Sequence, residues 1–200
     1  MAEVSVQAIT ISDEVAADGD FIVTAARPNT TATLANTSFA SGGARILSVT
    51  TAGTSDNAKT TTITGTNVLD EVISEVIIST GSAEAVNGTK YFKTVSSVVC
   101  SAQYAGNITV GSLASAAQAI FPGRTRLKGF YIVSGGTAGI VSIYDGAPES
   151  GTVIFKARTL GTDNTLINDT FIPGEGVLLK DGAVVQYTVA TIDLMTFFYA

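Results

Sequence analysis

The chain has 200 residues, with 11 Lys or Arg against 17 Asp or Glu and a net charge of −6. It contains no His, no Trp and one Cys, while Thr and Ser together fill 45 positions. Without His there is no Ser-His-Asp or Cys-His nucleophile, no His-ligated zinc or haem and no imidazole acid–base pair, and a lone Cys excludes an intrachain disulfide or a Cys-only metal site.

Short runs of alternating or β-branched residues, broken every ten or so positions by Gly, Asn or Asp, predict antiparallel strands throughout. In the first half they fall at 4–11, 21–25, 31–35, 44–51, 59–66, 71–78, 89–99 and 105–110. Residues 113–120, LASAAQAI, are Ala-rich and end before Pro122-Gly123. They read either as a helix too short to be stable alone or as a linker that becomes a strand. The second half offers strands at 118–121, 125–134, 139–145, 152–158, 166–172, 176–180, 183–190 and 192–199.

Three hairpins stand out. LKGFYIVS and IVSIY flank the glycine-rich turn at 135–139, where glycine permits positive φ. KTTTITGT and EVISEVII flank Asn67-Val68-Leu69-Asp70, and GVLLK and AVVQYTV flank Asp181-Gly182, which predicts a tight type I′ turn. Charge also divides the chain. Residues 1–115 carry ten acidic and five basic side chains, net −5, and residues 116–200 carry seven and six, net −1. The reading is an all-β fold of two tandem small antiparallel β-sandwich modules, Ig-like or jelly-roll-like. The first, 1–115, includes an extended N-terminal segment; the second is 116–200.

Candidate chemistry is sparse. The 135–139 glycines precede a strand pattern, so the helix N-terminus of a phosphate loop is missing. Glu71 and Glu75 share one strand face but lie roughly 13 Å apart at ~3.3 Å per residue, beyond the ~5–9.5 Å of glycosidase pairs. Asp18-Gly19-Asp20, with Asp13 and Glu14 nearby, offers oxygens for a calcium ion, but the spacing is not that of an EF-hand and an acidic turn is the favoured reading. Cys100 follows an apolar run and reads as a small buried hydrophobe. No catalytic, cofactor or metal residue is therefore assigned.

Arg124, Arg126 and Lys128 recur at period two, which places three cations on one face of one strand. They read either as a charged edge that discourages unwanted strand pairing or as a docking stripe for an acidic protein surface. Nucleic acid is disfavoured by the negative net charge and by the lack of interleaved aromatics. The C-terminal IDLMTFFY is apolar enough to be a core strand or one covered by a partner. MAEVSVQAIT lacks a cationic region followed by an apolar stretch, and no run approaches ~18 apolar residues, so neither a signal peptide nor a membrane span is expected.

Two ordered sets of segments resemble modules of tailed-bacteriophage virion structural proteins, marine and cyanobacterial phages included. From about Ala25 to Gly111 the carriers are ILSVTTAGTSDNAKTTTITGTN, EVISEVI, GTKYFKTVSSV and AGNITVG. From about Phe121 to Ala200 they are RTRLKGFYIVSGGTAGIVSIYDG, SGTVIFKA, FIPGEGVLLKDGAVVQYTV and the terminal FFY. NVLDEV stands where a glycine-containing turn is expected. The resemblance implies a non-enzymatic virion protein, foremost a capsid decoration or cement protein that stabilises the outer surface of the shell. Its implied partners are the major capsid protein and copies of itself, as a homotrimer, with no cofactor, nucleic acid or membrane. Its implied location is the virion, assembled in the host cytoplasm. The alternatives are a neck or tail component (tail tube, tail tip or collar), or a carbohydrate-binding module of a host-recognition fibre.

Overall fold

A computed structural model of the chain describes residues 5–12, 17–39, 43–112, 116–148, 150–162, 164–188 and 191–200. Among them the regular structure is all β. In chain order the strands are β1 (Gln7–Ser12), β2 (Val23–Ala26), β3 (Arg45–Thr51), β4 (Thr60–Thr66), β5 (Val72–Ile78), β6 (Ala85–Phe92), β7 (Thr94–Cys100) and β8 (Ile108–Ser112). There follow β9 (Ala116–Phe121), β10 (Thr125–Ser134), β11 (Ile140–Asp145), β12 (Thr152–Arg158), β13 (Thr165–Phe171), β14 (Val177–Leu179), β15 (Ala183–Tyr187) and β16 (Ile192–Tyr199).

These strands form four antiparallel sheets, distributed over two compact units. One unit, Ala17–Phe39 with Ala44–Ala114, holds the sheets β2-β8-β3-β6 and β5-β4-β7. Its core takes Val23, Leu47, Val49, Phe92 and Val110 from the first sheet and Ile63, Ile77, Val95 and Val98 from the second. The period of two is visible in β4, where Thr61, Ile63 and Gly65 are buried and the intervening threonines are not. The other unit, Met1–Ala16, Ala40–Gly43 and Ser115–Ala200, holds β1-β16-β10-β13, with β14 also paired to β10, and β12-β11-β15-β9. Ile11, Leu127, Phe130, Ile132, Met195 and Phe197 meet Ile120, Val141, Ile143 and Val185 in one core. Each such side chain, fully buried, contributes roughly 1.5–3 kcal/mol. Phe130 and Phe155 add a tilted ring pair with centroids 4.4 Å apart.

Several expectations are corrected. β1 lies in the segment assigned to the first module, yet pairs along its whole length with β16, Ile9 opposite Phe197 and Ile11 opposite Met195. Residues 89–99, expected as one strand, break at Lys93, whose N–H donates to Thr66 O at 2.7 Å; β6 and β7 then join different sheets. Residues 31–35 form no strand; Thr31 makes an isolated bridge with Val99, and Ala35 N–H donates to Ile22 O at 2.8 Å. The helical reading of 113–120 gives way to β9; residues 113–115 lie outside the described residues.

Two of the three expected hairpins are crossings between sheets. β10 pairs with β13, β14 and β16, whereas β11 pairs with β12 and β15. Likewise β14 pairs with β10 while β15 pairs with β11 and β9. None of Gly135, Gly136 and Gly139 adopts positive φ, and at Asp181-Gly182 only the glycine does, at 109°, so the type I′ turn does not form. Apolar alternation on both sides of a glycine specifies a reversal and a buried face. Both an in-sheet hairpin and an arch over the core satisfy that, and here the arms bury their residues from opposite sheets. The third hairpin forms as expected: β4 pairs with β5 from Thr60 opposite Ile78 to Thr66 opposite Val72. Asp70 takes the left-handed conformation, φ 60°, that a glycine was expected to supply. Asn67 Oδ1 accepts from the N–H groups of Leu69 and Glu71, at 2.9 and 3.1 Å, and closes the turn.

Candidate docking surface

Alternation along β10 sets the cationic stripe. Thr125 and Leu127 are buried, so Arg126 and Lys128 face outward, and exposed Arg124 immediately precedes the strand. Arg126 lies 3.5 Å from the Glu175 carboxylate, and Lys128 Nζ donates to Gly174 O at 3.0 Å. An exposed ion pair of this kind contributes only ~0–1 kcal/mol. The turn therefore orients the two heads more than it stabilises the sheet. Arg124 makes no hydrogen bond or ion pair among the described residues, and Glu175 offsets Arg126, so Arg124 and Lys128 remain uncompensated.

Beside the stripe lies an apolar row that sequence reasoning did not single out. Across the sheet, Ala8 stands opposite Phe198, Phe198 opposite Gly129, and Gly129 opposite Phe171. Phe197 is fully buried, so period two turns Phe198 outward at 39% exposure; Phe171 is 80% exposed and nearby Val6 54%. Gly129 leaves a gap between the two rings. A Cβ there would stand 2.6 Å from Thr170 O, so the strands approach too closely for any other residue. The result is a groove of about 270 Å³ lined by Val6, Lys128, Phe171, Gly174 and Phe198. One row further along, Thr10, Thr196, Tyr131 and Asp169 take over, with the Thr10 and Thr196 hydroxyls 3.0 Å apart. Apolar side chains return in the row beyond, where Leu194 stands opposite Val133 and Val133 opposite Leu166, which is 50% exposed. The readable signal was the FF of IDLMTFFY: adjacent aromatics in an alternating strand cannot both face the core.

The other sequence candidates are held in structural roles. Glu71 accepts from Asn67 Nδ2 at 2.8 Å, while Glu75 accepts from Thr89 N–H at 2.6 Å, Thr89 Oγ1 at 2.9 Å and Lys90 N–H at 3.3 Å. One carboxylate closes a turn and the other fastens β5 to β6. Asp18 Oδ1 accepts from Asp20 N–H at 3.2 Å, and the hydrogen bond and charge of Asp18 push the Asp20 carboxyl up. Asp13 and Glu14 lie outside the described residues, and among those described no three potential metal ligands cluster. Cys100 is buried, which pushes its thiol up and away from nucleophilic thiolate.

One ionic contact had no sequence signal. The Asp56 side chain is fully buried and its Oδ1 accepts from Lys59 Nζ at 2.8 Å and Ala105 N–H at 2.6 Å. Burial pushes this carboxyl up, but the hydrogen bonds of Lys59, Ala105 and Gly106 and the Lys59 charge outweigh it, and the net shift is downward. Lys59 Nζ also donates to Gln103 O at 2.6 Å and sits 5.5 Å from the centre of the Tyr104 ring. This cluster ties the segment between β3 and β4 to the one between β7 and β8. Neither family models, curated proteins nor solved structures give a match to this chain.

Proposed function

We propose that the chain is a non-enzymatic structural protein of a tailed-phage virion, a capsid decoration or cement protein that binds and stabilises the outer surface of the shell. Each unit is read as a β-sandwich module, Ig-like or jelly-roll-like, because each core draws on two sheets. The observation that carries the docking role is the outward face of β1-β16-β10-β13, where Arg124, Arg126 and Lys128 run beside exposed Phe171, Phe198 and Val6. Exposed apolar side chains grouped with charged ones mark a surface meant to be covered. The partners are the major capsid protein and further copies of this chain, as a homotrimer, without direct nucleic-acid or membrane contact. Stiff, Thr-rich sheets suit the task, since many shallow contacts on a pressurised shell require fixed backbones and restricted χ1.

The test is charge reversal at Arg124, Arg126 and Lys128 together. Occupancy of assembled shells, read by gel densitometry of purified particles, is expected to fall sharply and to become more salt-sensitive. Unchanged occupancy removes the docking role.

A further inference from the structure

The groove beside the cationic stripe has a size and a chemistry that specify what enters it. At about 270 Å³ it is smaller than the ~300–1,000 Å³ sites that take drug-sized ligands. It has room for one large side chain. Its apolar walls are Val6, Phe171 and Phe198, and in the sheet Gly129 stands between the two phenylalanines. Its rim is Lys128, whose Nζ is held by Gly174 O at 3.0 Å, with Arg124 further along the same face. The apolar walls favour an aliphatic or aromatic group, and the uncompensated cations favour carboxylates on either side of it. A second copy packed face to face about a two-fold axis would set these cations against their own symmetry mates, which is costly.

From this we infer that the groove is the anchor of the docking surface: it takes a single large apolar side chain from an extended acidic segment of the protein on which the stripe docks. The inference rests on the docking reading and adds the recognition chemistry to it. Anchors of this kind, one desolvated side chain ringed by charged contacts, carry most of the energy of small interfaces.

The probes are two synthetic peptides, acetyl-Asp-Asp-Leu-Asp-Asp-amide and its Leu→Ala counterpart, titrated into the full chain and followed by NMR. The leucine peptide is expected to bind on the order of 1 mM, as a short flexible ligand should. It should shift resonances of Val6, Gly129, Phe171 and Phe198 while leaving the other unit unchanged. The alanine peptide should bind about tenfold more weakly or worse, since most of the buried apolar area is lost. Phe171→Ala should weaken the leucine peptide comparably. Phe171 is 80% exposed, so the variant keeps its fold, which an unchanged spectrum elsewhere verifies.

Equal binding of the two peptides, or shifts scattered over the surface, overturns the anchor. So does a mass that rises with protein concentration while neither peptide binds, which assigns the face to a second copy. The two readings fail separately. Loss of shell occupancy on charge reversal without peptide discrimination leaves docking standing and removes the anchor. Peptide discrimination with unchanged occupancy does the reverse for the shell.

Discussion

Replacing Asp56 by Asn tests whether the buried carboxylate is held as a charge. The side chain is 0% exposed, and one of its oxygens serves both Lys59 Nζ and Ala105 N–H. Asparagine keeps the shape and one acceptor for Ala105, but removes the charge and places two new donors in a buried site. Hydrogen bonds to a charged group contribute about 1.5–3 kcal/mol, and breaking a fully buried ion pair costs about 3–5 kcal/mol. Lys59 is 26% exposed and still donates to Gln103 O, so it stays partly hydrated and the upper range does not apply. The expected loss is about 2–3 kcal/mol at neutral pH, read from urea unfolding followed by far-UV circular dichroism. The sign of the pH dependence follows from the lowered carboxyl. Stability from this group is complete above the ordinary value of 3.8 and is lost as pH falls through the lower folded-state value. The gap between wild type and Asp56→Asn should therefore be widest near neutrality and close in strong acid. A loss below about 0.5 kcal/mol, or a gap that does not narrow in acid, would refute the assignment of a buried charged pair.

Other substitutions probe separate parts of the structure. Asn67→Ala strips the acceptor from two turn N–H groups and should cost about 1–3 kcal/mol, measured by urea unfolding. Ala58 sits at φ 61°, where a Cβ costs about 1–2 kcal/mol, so Ala58→Gly should be neutral to slightly stabilising by thermal melting, against the usual sign of such a change. Phe130→Ala removes a buried ring from the core of the C-terminal unit and should cost about 3–5 kcal/mol in the same assay.

The strands legible from sequence are those with clear boundaries. β10, β12 and β16 were expected at 125–134, 152–158 and 192–199, and they occupy those residues. In β16, Met195, Phe197 and Tyr199 alternate inward with Thr196 and Phe198 outward, a period no helix shares. Boundaries without a turn residue were hidden. YFKTVSSVV is β-prone throughout, and nothing local in Lys93 says that the chain changes sheet there. Asp56 was hidden for a related reason: its burial depends on Ala105, far along the chain. Partners were hidden too, because alternation says which side chains face inward but not across which neighbour. Crossings from β10 to β11 and from β14 to β15 consequently looked like hairpins.

The same distinction explains the docking surface and yields its most exposed prediction. Arg126 and Lys128 face outward by the period of a single strand, so the stripe was readable. The slot beside them depends on register, because Phe198, Gly129 and Phe171 become neighbours only when β16, β10 and β13 pair as they do. In the sequence Gly129 is one more glycine in a strand. In the sheet its missing side chain permits the close approach of Thr170 and places no side chain between Phe198 and Phe171. Gly129→Ala places a methyl 2.6 Å from the Thr170 carbonyl oxygen, a rigid backbone atom, so the strands must separate. Overpacking of this kind costs about 1–3 kcal/mol. The penalty should appear as a lower thermal midpoint, with NMR shift changes concentrated at 129–131, 169–171 and 197–199. An alanine accepted without loss of stability would mean that β10 and β13 are not in this register, and the row Phe198, Gly129, Phe171 would not form.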